Sequence, residues 1–127
     1  LVGTHDFTAT TGDTFKLALF TSSATLGAGT TAFGTGNEVT GTGYTSGGSN
    51  LTSITPTLDS STAVCDFTDL SFTSASFTAN ACLIYNSSKS NKAVAAVAFG
   101  GDKAVSSGTF TIQFPDATAS AAIIRLA

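Results

Sequence analysis

Charge is what this sequence has least of. Only 10% of its 127 residues are Asp, Glu, Lys or Arg, against roughly 25% in an average globular domain. The five basic residues, Lys16, Lys89, Lys92, Lys103 and Arg125, are scattered apart from the pair at 89 and 92, and the net charge is -3. A protein that tracks a phosphate backbone needs several cations on one face, so no direct nucleic-acid partner is expected. Trp and Met are absent. No apolar run approaches the roughly 18 residues that a membrane helix needs. The longest, such as Ala93 to Phe99, has the length of a strand, and no membrane partner is expected. The chain opens on Leu1 and not on Met, which implies a processed or missing start.

Two cysteines and one histidine exclude a four-ligand zinc site. Cys65 and Cys82 fall in separate strand-like segments. They read either as buried free thiols or as a cross-strand disulfide, if their spacing permits one. No cofactor is expected.

What fills the chain instead is Thr, Ser, Gly and ten Phe. Gly, Thr, Val and Phe disfavour helix, and Thr, Val and Phe suit half-buried strands. In Thr109 to Phe114 the residues Phe110, Ile112 and Phe114 share one face, and Pro115 follows. Phe15 to Thr21, Ser76 to Tyr85 and Ala93 to Phe99 read as further strands, with shorter ones at Asn50 to Thr57, Thr62 to Phe67 and Ala122 to Leu126. The polar stretch Asn86 to Asn91 reads as a hairpin turn. Gly100-Gly101-Asp102 and Ser106-Ser107-Gly108 read as turn signals around a short segment. The expected fold is all-β: an antiparallel, jelly-roll-like β-sandwich of about seven to eight strands. It forms one domain over residues 1–127, with a candidate N-terminal arm over 1–12.

Ser22 to Ser49 is the exception, a Gly/Thr/Ser-rich loop whose length suggests function. Phe33, Val39 and Tyr44 within it are too apolar for a free linker. The loop is expected to lie against the sandwich or a second subunit, and these three residues are the candidate partner contacts.

Catalytic constellations are missing. His5-Asp6 lies at the N-terminus, with no nucleophile elbow elsewhere. Asp66 and Asp69 match neither an acid–base pair nor a calcium loop, and read as solvated turn residues. Gly34-Thr35-Gly36 and Gly41-Thr42-Gly43 lack the third glycine and following helix of a dinucleotide fingerprint. Asn50-Leu51-Thr52 and Asn86-Ser87-Ser88 are glycosylation sequons only in a eukaryotic secretory path. No catalytic or metal-binding residues are assigned, and the chain is not expected to be an enzyme.

Several segments together resemble a family of small, β-rich structural proteins of tailed-bacteriophage particles. They are Asp13 to Ser23, Asn37-Glu38-Val39, Gly41 to Gly48, Phe77-Thr78-Ala79, Leu83 to Asn86, Phe99 to Lys103 and Gly108 to Phe114, in the family's order. The resemblance implies a component of the virion, on the capsid exterior or in the tail, assembled in the host cytoplasm and carrying no catalytic residues. The leading expectation is a capsid decoration (cement) protein that ties coat subunits together. Its partners would be the major capsid protein and itself, as a homotrimer. A tail, collar or baseplate component is the alternative. A glycan-binding adhesive module is weaker, since only Tyr44 and Tyr85 offer tyrosine rings and Trp is absent.

Overall fold

The computed structural model of the chain describes residues 4–126. Among them there is no helix, and seven strands form two antiparallel sheets. In chain order these are β1 (Phe15–Phe20), β2 (Ser49–Asn50), β3 (Ser53–Asp59), β4 (Thr62–Phe67), β5 (Leu70–Asn86), β6 (Lys92–Ile112) and β7 (Ile124–Leu126). The larger sheet has the order β2-β1-β5-β6, and the smaller has β3-β4-β7.

The period-two pattern of β1 explains its central place. Phe15, Leu17 and Leu19 point into the main core, while Ala18 and Phe20 point to the opposite face and enter a second apolar cluster. A strand buried on both faces carries little polar surface, and here only Lys16 is left partly exposed. Across the core, Phe67 of β4 meets Phe15 of β1 with ring centroids 5.7 Å apart. The two sheets therefore share one apolar interior, as in a β-sandwich.

The β5–β6 hairpin dominates the larger sheet, and its polar turn is where Asn86 to Asn91 placed it. Ser90 and Asn91 take positive φ there, of +54° and +57°. The two further turn signals have a different role. Gly100-Gly101-Asp102 and Ser106-Ser107-Gly108 do not break the chain into separate strands; both lie inside the 21-residue β6. They form bulges. Ala79 faces Lys103 and Ala81 faces Ala98, so the four residues Phe99 to Asp102 oppose Asn80 alone. Gly100 at φ +78° makes that excursion without a Cβ penalty, and Asn80 Nδ2 donates to Asp102 Oδ1 at 2.9 Å to hold it. The bulges also reset the pleat. On β5 the buried core-facing residues are Phe72, then Ala75, Phe77 and Ala79, then Cys82 and Ile84.

Two other boundaries differ from the sequence reading. The expected strand Asn50 to Thr57 is divided, because the chain leaves the larger sheet at Asn50 and joins the smaller at Ser53. Leu51, 8% exposed, plugs the crossover. The C-terminal strand is confined to Ile124–Leu126. The alternation in Thr109 to Phe114 is as expected: Phe110, Ile112 and Phe114 are half-buried, while Thr109, Thr111 and Gln113 are exposed. β6 itself ends at Ile112.

The N-terminal segment is docked against the sandwich. Phe7 stacks on Phe15, with centroids 4.6 Å apart and planes within 2°. Asp6 and Asp13 close the segment, the Asp13 amide donating to the Asp6 carbonyl at 2.8 Å and the Asp6 amide to Asp13 Oδ2 at 2.9 Å.

Candidate interaction surface

The segment from residue 22 to 48 lies along the larger sheet and completes it. Among the described residues, two-residue β2 pairs only with Lys16 and Leu17 of β1, and no other strand lies on the rest of that edge. The loop supplies what is missing. Val39 N–H donates to the Leu19 carbonyl at 2.9 Å, and Thr21 N–H donates to the Asn37 carbonyl at 3.0 Å. Leu19 N–H, on a fully buried residue, donates to the Tyr44 hydroxyl at 2.9 Å. A buried backbone group without a partner is costly, so these bonds tie the loop to the edge of β1.

One carboxylate organises the turn of that loop. Glu38, the only glutamate in the chain, accepts the Tyr44 hydroxyl at 2.6 Å and the Gly47 amide at 2.7 Å on Oε1, and the Ser46 hydroxyl at 2.8 Å on Oε2. Tyr85, from β5, donates its hydroxyl to the Gly47 carbonyl at 2.6 Å. Gly48 must be glycine. Its φ is +75°, and a Cβ would sit 1.8 Å from the Leu17 carbonyl oxygen. Burial, with the nearby Glu38 carboxylate, pushes the Tyr44 hydroxyl well above its ordinary pKa; burial raises Tyr85 as well. Both phenols are therefore neutral donors at physiological pH.

The three candidate contact residues are all engaged within the chain. Phe33 stacks on Tyr85 at 4.5 Å and meets Phe20 edge-on at 6.2 Å. Val39 is 2% exposed and belongs to the main core. The Tyr44 ring lies 5.7 Å from Phe72 and 5.9 Å from Phe77. Phe33 seals the outer face of the larger sheet; Val39 and Tyr44 help fill the interior. Sequence reasoning missed Glu38, since a single loop carboxylate carries no spacing signal.

The remaining candidates resolve as structural groups. Asn86 is fully buried and donates both amide protons, one to Asp13 Oδ2 at 2.8 Å and one to His5 Nδ1 at 3.0 Å. That places the His5 proton on Nε2, and burial lowers its pKa. Asn86 is thus spent internally, whereas Asn50 of the other sequon is exposed. Cys65 and Cys82 are free thiols; burial raises Cys65 and pushes Cys82 up to about 12. Asp69 Oδ1 accepts the Phe114 amide at 2.8 Å. Asp66 is not the solvated turn residue expected: it lies in β4 and is 1% exposed, its Oδ1 accepting the Phe67 amide at 2.8 Å and its Oδ2 finding no hydrogen-bond partner among the described residues. Desolvation, reinforced by Asp116 and Asp69, raises its pKa. Among the described residues no group of three or more His, Cys, Asp or Glu is placed to hold a metal ion.

No family model matches this chain, and no curated protein or solved structure matches it.

Proposed function

We propose that this chain is a bacteriophage virion structural protein, acting as a capsid decoration protein that binds between coat subunits and stabilises the shell without catalysis. The observation that carries the reading is where the family-like segments fall in space. Asp13 to Ser23 contains β1, Asn37 to Val39 and Gly41 to Gly48 hold the Glu38 and Tyr44 lock, and Leu83 to Asn86 brings Tyr85. The resemblance is therefore to one co-packed unit of sheet and cover. Its hydroxyl- and glycine-rich exterior suits permanent packing, because short side chains lose little entropy when a neighbour covers them.

In this proposal the partners are the major capsid protein and other copies of the chain, with neither nucleic acid nor membrane in direct contact, and the site of action is the virion. The jelly-roll-like wiring belongs to the same proposal; the chain's passages from β2 to β3 and from β4 back to β5, each crossing between the sheets, favour it. A tail, collar or baseplate position is the alternative location. A glycan-binding role is disfavoured, because both tyrosine hydroxyls already serve internal bonds. The test is reconstitution. The purified protein should bind assembled, expanded shells that lack it and bind free coat protein weakly; no binding to shells would defeat the capsid assignment.

A further inference from the structure

The outer face of the smaller sheet is closed by a segment built almost wholly of small side chains. Successive residues of β4 alternate: Cys65 and Phe67 pack with the main core, while Val64 and Asp66 point the other way. Val64 and Asp66 are nevertheless each 1% exposed. Their cover is the strap Pro115 to Ala122, which joins β6 to β7. Just before it, the Phe114 amide is held by Asp69 Oδ1. The Ala119 amide then donates to Asp59 Oδ2 of β3 at 2.5 Å. β3 and β7 flank β4 on opposite sides, so between Ala119 and Ile124 the chain has to cross β4. The core fills the inner face, which leaves the outer one. Ala122, 3% exposed and part of neither core cluster, is buried in that crossing.

The strap is lightly held. From Asp116 to Ala122 it contains no large apolar side chain, so little apolar area ties it down. Its own turn is local, with the Ala121 and Ala122 amides donating to the Thr118 carbonyl at 3.2 and 3.0 Å. What lies beneath it is a carboxyl group. Asp66 Oδ1 accepts the Phe67 amide, and Oδ2 has no partner among the described residues. Protonated, the group leaves one hydroxyl unsatisfied; ionised, it leaves a charge out of water at far greater cost. The acidic neighbours add to that cost. Asp116 on the strap and Asp69 at its root carry the same sign. Asp59 of β3 is engaged with Ala119, and the adjacent Cys65 keeps its thiol proton because burial raises it. Arg125 of β7 stands opposite Val64, one pleat repeat away.

We propose that Asp66 is the proton-operated catch of this strap: with the carboxyl protonated the strap lies closed across β4, and loss of the proton lifts it so that water reaches the carboxylate while both sheets stay folded. The direction follows from the surroundings. Desolvation raises the Asp66 carboxyl above its ordinary value, the Phe67 amide offsets part of this, and Asp116 and Asp69 add to it. The closed strap therefore holds the proton more tightly than the open one. Closure is fully favoured below the ordinary carboxyl value and weakens as pH rises through the raised one. Because Asp116 rides on the strap, its repulsion acts on the part that moves. The proposal does not depend on a virion role.

Hydrogen exchange of the full chain from about pH 4 to about pH 8, expressed at each pH as protection relative to the free-chain rate, tests this. Protection of the Ala119, Ala121 and Ala122 amides should be level at the acid end and then fall by up to about tenfold per pH unit. Protection of β1 should stay level throughout. In D66N the strap should stay closed and the response should flatten. D116N, at an exposed site, removes one like charge and should move the fall to higher pH without abolishing it; it carries the test if D66N does not fold. Strap protection that ignores pH in the wild type, a fall of equal size in D66N, a fall shared by β1, or a D116N profile identical to the wild type would overturn the proposal.

Discussion

Replacing Tyr44 by Phe removes one oxygen and leaves the ring against Phe72 and Phe77. That oxygen has two jobs: it accepts the Leu19 amide and donates to Glu38. Leu19 is fully buried, so its N–H would lose its partner where water cannot replace it, at about 1–3 kcal/mol. The lost bond to a carboxylate is worth about 1.5–3 kcal/mol. It must be discounted, since Glu38 is partly exposed and keeps Ser46 and Gly47 as donors. The total is about 2–4 kcal/mol. Tyr85→Phe is the matched control: it removes a single neutral bond to the Gly47 carbonyl and should cost about 0.5–1.5 kcal/mol. Urea unfolding followed by fluorescence or circular dichroism reads both. With a slope of about 1–3 kcal/mol per molar for a domain of this size, Tyr44→Phe should lower the midpoint by roughly 1–2 M. A Tyr44→Phe variant no less stable than Tyr85→Phe would refute the claim that the loop is a structural part of the sheet.

Three other outcomes follow from the same interior. The Cys82 thiol is raised by burial from its ordinary 9.0 to about 12. Its stabilisation is therefore complete below about pH 9 and is lost as pH rises towards 12, amounting to about 4 kcal/mol at about 1.4 per unit. Alkaline unfolding should be shallower in Cys82→Ala, and an unchanged slope would contradict the burial. Asp66, whose carboxyl is raised, has the same sign: its favourable contribution is present at acid pH, below its ordinary value, and is lost as pH rises through the folded one. Asp66→Asn should then gain on the wild type between pH 4 and pH 7 in paired denaturation curves, and the reverse trend would refute the assignment. Phe110→Ala and Ile112→Ala, both half-buried on the core side, should each cost about 2–3 kcal/mol, whereas exposed Thr111→Ala should stay within about 0.5. Equal costs would mean that the strand faces are wrongly assigned.

Much of the fold was legible because alternation is a local signal. Phe110, Ile112 and Phe114, or Phe15, Leu17 and Leu19, declare a face whatever lies across from them. The all-β class and the hairpin at Asn86 to Asn91 follow from such signals. Gly100-Gly101 and Ser106-Ser107 were ambiguous for a physical reason. A positive-φ residue serves a turn or a bulge equally well, and only pairing with β5, some 20 to 30 residues away, selects the bulge. The loop divides in the same way. That Phe33, Val39 and Tyr44 must be covered was readable from their side chains. That the cover is this chain's own sheet was not, because an apolar residue carries no address. Glu38 was silent for the converse reason: its meaning arises when Tyr44, Ser46 and Gly47 fold back around it.

The central claim, a structural role in the virion, is tested most directly by counting. Quantitative mass spectrometry of purified particles gives the copy number of this chain relative to the major coat protein. The account predicts a ratio near one or a simple fraction of it, as for a protein spread over the whole shell. A few to a few dozen copies would move the chain to the tail, collar or a vertex, and its absence from the particle would contradict the structural role altogether.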